Sequence, residues 1–138
     1  MSWWGFALSS ALAAAVTTVA AKLGMTGLPS NLATAIRTGV VLVFSWAIVV
    51  ARGEHHEMAS LTPRAWFWLV LSGLGTGMSW LAYFRALQLG PAASVASVDK
   101  LSLVFVVVLA ALMLGEAITL RTACGAALVA VGTLLMVR

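Results

Sequence analysis

Asp99 and Lys100 stand side by side a few residues inside the apolar stretch from Ser94 to Leu114. A charge in hydrocarbon costs from ~2.5 to more than 10 kcal/mol depending on the scale, so ionisable groups there face a partner or a cavity. Arg37 and Arg85 also lie inside apolar runs. One acid among three cations leaves a formal excess of two positive charges, which suits an anion or an anionic group of a substrate. The competing reading is structural. Asp99 pairs with one cation, and the other long side chains lay their stems along the apolar zone and lift their head groups to the interface. Asp99 fits that less readily, because its side chain is short and a carboxylate so placed needs a partner or a proton. An ion pair and a substrate or coupling-ion site both remain open. Trp80 and Tyr83 precede Arg85 on the same run. They could pack on an organic substrate or a cation, although aromatics at i and i+3 are more often the core of a bundle.

The elements that must carry these residues follow from composition. Of 138 residues, 62% are hydrophobic and 9% are charged, and the mean hydropathy is +1.07. That leaves too little polar surface to cover a water-soluble globule, so the chain reads as an all-α integral membrane protein. Windows of ~20 apolar residues predict five transmembrane helices, at about 3–23, 31–51, 65–89, 94–115 and 120–137. The punctuation agrees: GMTGLPS precedes Asn31, Thr62 and Pro63 precede the third helix, Gly90-Pro91 separates the third from the fourth, and Gly115-Glu116 ends the fourth. The longest polar connection, Arg52 to Arg64, has room only for a loop, so residues 1–138 form a single membrane domain. The first helix lacks a basic start and is too long for a signal-peptide core, and is expected to be retained. Trp3, Trp4, Trp66 and Trp68 fall near helix ends, where indole rings sit at the headgroup level, while Trp46 and Trp80 lie deeper. Small residues recur at Gly5, Ser9, Ala13 and Thr17, at Gly73 and Gly77, and at Gly125 and Gly132. They are read as seams where helices pack closely in lipid.

With five spans, Arg52, Arg64 and Arg121 share one side, and Lys22 and Arg138 share the other, joined by Arg85 if it reaches outward. Lys and Arg asymmetry sets insertion direction, so a chain this balanced is open to inserting both ways. Arg37, Arg85 and Lys100 lie five or six residues from the predicted helix ends on the second side. At ~1.5 Å per residue that is roughly 8 to 9 Å deep. Asp99 shares the layer.

Several functions are excluded or weakened. The net charge of +4 is scattered, with no cluster of Lys or Arg of the kind that binds nucleic acid. The lone Cys124 can form no intramolecular disulfide. Glu54, His55, His56 and Glu57 carry metal-binding groups, but consecutive side chains in a short loop converge poorly, and a solvated connection is the better reading. No nucleophile and base are suitably spaced, so no enzyme, cofactor or metal centre is expected. Nothing resembles a channel's selectivity filter.

The segment WLAYFRALQLGPAASVASVDKLSLVFVVVLAALMLGE, Trp80 to Glu116, resembles the EamA repeat of the drug/metabolite transporter superfamily. In that repeat an aromatic-rich helix ends in an "AL…G-PA" turn, an "ASVAS" helix start follows, and the next helix closes on "LGE". The tail ITLRTACGAALVAVGTLLMV is similar to the Gly- and Ala-rich fifth helix, and the opening helix and NLATAIRTGVVLVFSWAIVVARG fit the first two. Most members carry two five-helix repeats in inverted orientation; this chain has one and resembles the single-repeat bacterial and archaeal type. The resemblance implies a multi-pass protein of a prokaryotic inner membrane and a secondary transporter or exporter of a small metabolite. It assigns no role to VDKLS, where the family commonly has an apolar or Glu-Pro-containing sequence. Inverted repeats build their site near the midplane, so a half-length chain would complete itself as an antiparallel homodimer. The two charged layers would then lie roughly 10 Å apart across a ~30 Å core. The residues expected at the cavity are Arg37, Trp80, Tyr83, Arg85, Asp99 and Lys100. A four-helix multidrug exporter shares the size, but would need an acid in the middle of the first helix, where this chain has Ser, Thr and Ala. The remaining alternative is a non-transporting subunit assembled with a larger partner.

Overall fold

The structure, a computed structural model, describes residues 2–137. Arg138, counted above among the charges, lies outside them. The elements are α1 (Trp3–Gly24), α2 (Ser30–Ala51), a 3₁₀ helix (Glu54–Ser60), α3 (Pro63–Leu89), α4 (Ala92–Asp99), α5 (Ser102–Leu114) and α6 (Leu120–Val137). Taking α4 and α5 as one span, the described residues hold five helices long and apolar enough to cross a membrane.

Local chemistry explains the ends. Pro29 and Pro91 stand before α2 and α4 in extended conformation, where a missing N–H costs nothing. The Thr62 hydroxyl accepts from the Ala65 N–H at 3.2 Å, and Thr119 from the Thr122 N–H at 3.2 Å, capping α3 and α6. Gly115 closes α5 with φ +71°, a left-handed conformation that costs glycine little. Gly53 takes the same φ just before the 3₁₀ turn, so the expected Arg52–Arg64 loop is in part helical. Hydroxyls inside the apolar helices donate to carbonyls one turn back, as in Ser9 to Gly5, Thr34 to Ser30, Thr38 to Thr34, Ser45 to Val41 and Thr76 to Ser72. A polar atom satisfied this way can face hydrocarbon.

The fourth predicted helix is not regular throughout. At Lys100 (ψ −13°) and Leu101 (ψ −20°) the backbone tightens. The N–H groups of Lys100, Leu101, Leu103 and Val104 donate three residues back, at 2.9–3.1 Å. This is a short 3₁₀ stretch within the span, and such stretches mark hinges or local strain.

Contacts divide the chain into two units, one of residues 1–19 and 89–138, the other of residues 20–88. In the first, α6 packs on α4 and α5. Ser94 Oγ donates to the Met136 carbonyl at 3.1 Å and Thr133 Oγ1 to the Ser97 carbonyl at 2.9 Å, with Ser97, Ala126 and Thr133 buried. In the second unit the buried residues are Met25, Ser30, Thr34, Phe84 and Leu87. Most of the other long apolar side chains are exposed, which in lipid leaves them against acyl chains. The small-residue seams do not close as expected: a Cβ added at Gly5, Gly73, Gly77, Gly125 or Gly132 would meet no neighbouring atom within 4 Å.

Candidate functional site

The six residues singled out in the sequence divide between the units. Residues 20–88 hold Arg37, Trp80, Tyr83 and Arg85; residues 89–138 hold Asp99 and Lys100.

On α2, Ser30, Thr34 and Arg37 follow one another at i, i+4 and i+7, and on α3 Trp80, Phe84 and Leu87 do the same. Such spacing puts each trio on one helix face. Ser30, Thr34, Phe84 and Leu87 are buried, and Arg37 and Trp80 are half-buried. The two faces meet through the guanidinium. Its carbon lies 4.1 Å from the centroid of the Trp80 ring and 5.4 Å from that of Phe84. Both are within the reach of a cation–π attraction, worth about 0.5–1 kcal/mol in the open and about 2 kcal/mol or more when desolvated. Tyr83, next to Phe84 on α3, is half-buried. Among the described residues Arg37 has no hydrogen bond or ion pair, so aromatic faces are what hold it. It lies seven residues into α2, about 10 Å along the axis from Ser30.

Arg85 takes another course. It is exposed and donates to Gln88 Oε1 at 3.1 Å, while Gln88 Nε2 donates to the Leu28 carbonyl at 2.6 Å. Nearby, Lys22 Nζ donates to the Leu87 carbonyl. A cation at the last turn of α3 complements the carbonyl end of the helix. Lys22, Gln88 and the loop at Leu28 thus tie the end of α3 to the segment between α1 and α2, and Arg85 joins this polar lacing through Gln88.

In the other unit, Asp99 and Lys100 form an ion pair with each other, N to O 3.8 Å, and both side chains are exposed. They fall where α4 gives way to the 3₁₀ stretch, so the polar pair and the backbone irregularity coincide. The Ser97 carbonyl one turn earlier takes both the Lys100 N–H and the Thr133 hydroxyl.

Sequence reasoning missed Phe84, Lys22, Gln88 and the Ser97–Thr133 bond. Phe84 was detectable, since it lies four residues after Trp80 and shares its row more closely than Tyr83 does. Gln88 stands three residues after Arg85, a spacing that permits the bond observed. Lys22 and Thr133 carry no such local signal, because their partners are 65 and 36 residues away. The Glu54–Glu57 segment forms the 3₁₀ turn, and no group of three or more metal-binding side chains occurs among the described residues.

Comparison with known proteins bears on what these clusters serve. The EamA-like transporter family matches residues 1–138. A protein of Sinorhizobium sp. described as an uncharacterized transporter in the cobO 3' region is 50% identical over 135 residues, covering 98% of this chain and 96% of its own length. No solved structure matches. The family is one of transporters and not of enzymes, and the five apolar spans among the described residues are consistent with a single repeat of it. This multi-pass membrane chain belongs to the EamA-like transporter family.

Proposed function

We propose that two copies of the chain, inserted in opposite orientations, make one secondary transporter that moves a small organic metabolite by alternating access. The supporting observation is the match of a transporter family to residues 1–138, whose described part holds five spans. Transporters of inverted-repeat design rock two halves around a site near the midplane. A chain that acts as one such domain supplies one half, and a second copy supplies the other. Lys and Arg are spread nearly evenly over the two sides, with Arg52, Arg64 and Arg121 against Lys22, Arg138 and Arg85. That removes the main determinant of a single orientation.

Candidates for the substrate path are Arg37, Trp80 and Tyr83 in one unit and Asp99 with Lys100 in the other. Arg85, exposed and bound to Gln88, suits a place toward the membrane surface. Asp99 and Lys100, at the irregular turn of the α4–α5 span, suit a part that moves as the site changes face.

Reconstitution tests the reading. Vesicles loaded with radiolabelled metabolite mixtures are expected to exchange solute only when they contain the protein. Paired cysteines, introduced after Cys124→Ala, are expected to cross-link the two ends of α1 between copies. Cross-links between like ends alone would rule out the antiparallel pair. Inactive vesicles, with the chain recovered only in a larger hetero-assembly, would favour the subunit role instead.

A further inference from the structure

Within residues 20–88 Arg37 differs from the other cations. Lys22 is bonded to a carbonyl, Arg85 to Gln88 and Arg52 to Glu54 at 3.4 Å, and Arg64 is exposed in the first turn of α3, whereas Arg37, well inside its span, has aromatic faces and, among the described residues, no acceptor. A guanidinium carries five N–H donors in its plane and is attracted to an aromatic ring through its face. Trp80, with its centroid 4.1 Å from the guanidinium carbon, therefore holds the cation without taking any of its N–H bonds. A planar donor edge about 10 Å into an apolar helix is costly to leave without an acceptor. It is matched best by an acceptor with two parallel oxygens. Carboxylate and phosphate both have that form, and the charge separates them. Arg37 is the cation on this face, so a monoanion is neutralised there, whereas a dianion keeps an uncompensated charge in hydrocarbon.

We propose that Arg37, held against Trp80 and near Phe84, grips the carboxylate of a small organic acid, and that monocarboxylates are the substrate class of this transporter. The proposal rests on the transport reading above and adds the chemistry recognised. The aromatic rings hold Arg37 rather than the ligand, so its aim is set before the acid arrives. Less rotamer freedom is then lost on binding than with a mobile Lys or Arg.

The test is binding to the full chain in nanodiscs, followed by thermal unfolding and by titration. Benzoate, benzamide, phenyl phosphate and benzylamine share a ring and differ in head group. Benzoate is expected to raise the unfolding temperature, and the other three to bind at least about tenfold more weakly: benzamide and benzylamine lack the charge-assisted bidentate pair, and phenyl phosphate brings a second charge that Arg37 leaves uncompensated. Arg37→Lys keeps the charge and is expected to weaken benzoate by about tenfold or more, because an ammonium cannot present two parallel donors. Trp80→Leu, which frees the guanidinium, is expected to weaken it by a smaller factor. Both variants are compared at equal monodispersity, and Arg37→Lys gives an answer even if Trp80→Leu fails to fold. Equal benzoate binding by Arg37→Lys, or a preference for benzylamine or phenyl phosphate, overturns the proposal. Vesicles that exchange another solute while benzoate fails to bind also overturn it, and leave the transport reading standing.

Discussion

The guanidinium of Arg37 sits on Trp80 and near Phe84 inside two apolar helices, where a bare cation is expensive. Function and structure make opposite predictions for its removal. Replacing a buried charge by an apolar residue of similar length is often neutral or stabilising. Arg37→Met is therefore expected to leave the unfolding temperature in detergent unchanged or higher while reducing solute exchange at least about tenfold. A large loss of stability would instead make Arg37 a structural element. Trp80→Leu removes the main aromatic face and is expected to cost about 1–2 kcal/mol beyond lost packing, with Trp80→Phe costing less, in reversible unfolding in mixed micelles. The presence of cations in apolar runs was legible in the sequence, because a charge in a hydropathy window stands out. Which aromatics would hold Arg37 was only half legible. Trp80 and Tyr83 drew attention, while the ring that joins Trp80 around the guanidinium is Phe84, on the i+4 row.

At the scale of elements, the five spans were legible nearly to the residue, since lipid demands a long apolar window and Pro, Thr and Gly mark where it ends. The 3₁₀ stretch at Lys100 and Leu101 was not. Neither proline nor glycine lies there, and the tightening shows only in which carbonyl each N–H takes. Because such bonds have poorer geometry and the adjoining Asp99–Lys100 pair is exposed, amides of residues 100–104 are expected to exchange with deuterium faster than those of 125–133 in α6. Equal protection would show that the irregularity is no weak point. The α4–α6 pairing makes a separate prediction. Thr133→Val deletes the hydroxyl donor to the Ser97 carbonyl, which keeps its bond from the Lys100 N–H. The cost should be near the ~0.6 kcal/mol average for polar contacts between membrane helices, readable as a small shift in unfolding midpoint. A loss of several kcal/mol would mean that this bond organises the unit.

For the whole molecule, composition alone placed the chain in the bilayer, and the family match over residues 1–138 made it a transporter. The small-residue seams at Gly73, Gly77, Gly125 and Gly132 suggested close helix packing, yet no neighbour approaches them. Small residues report where backbones are able to meet, not which surface meets them. The substrate was not legible from charge count, because Asp99 pairs with its own neighbour Lys100 and Arg85 with Gln88. The proposed transport cycle needs two copies of opposite orientation. Two variants locked by added Lys and Arg, one in the loops that carry Arg52, Arg64 and Arg121 and one in the loops opposite, separate the possibilities. Solute exchange in vesicles is expected to be lost with either variant alone and restored when both are produced together. Full exchange from one locked variant alone would contradict the antiparallel transporter.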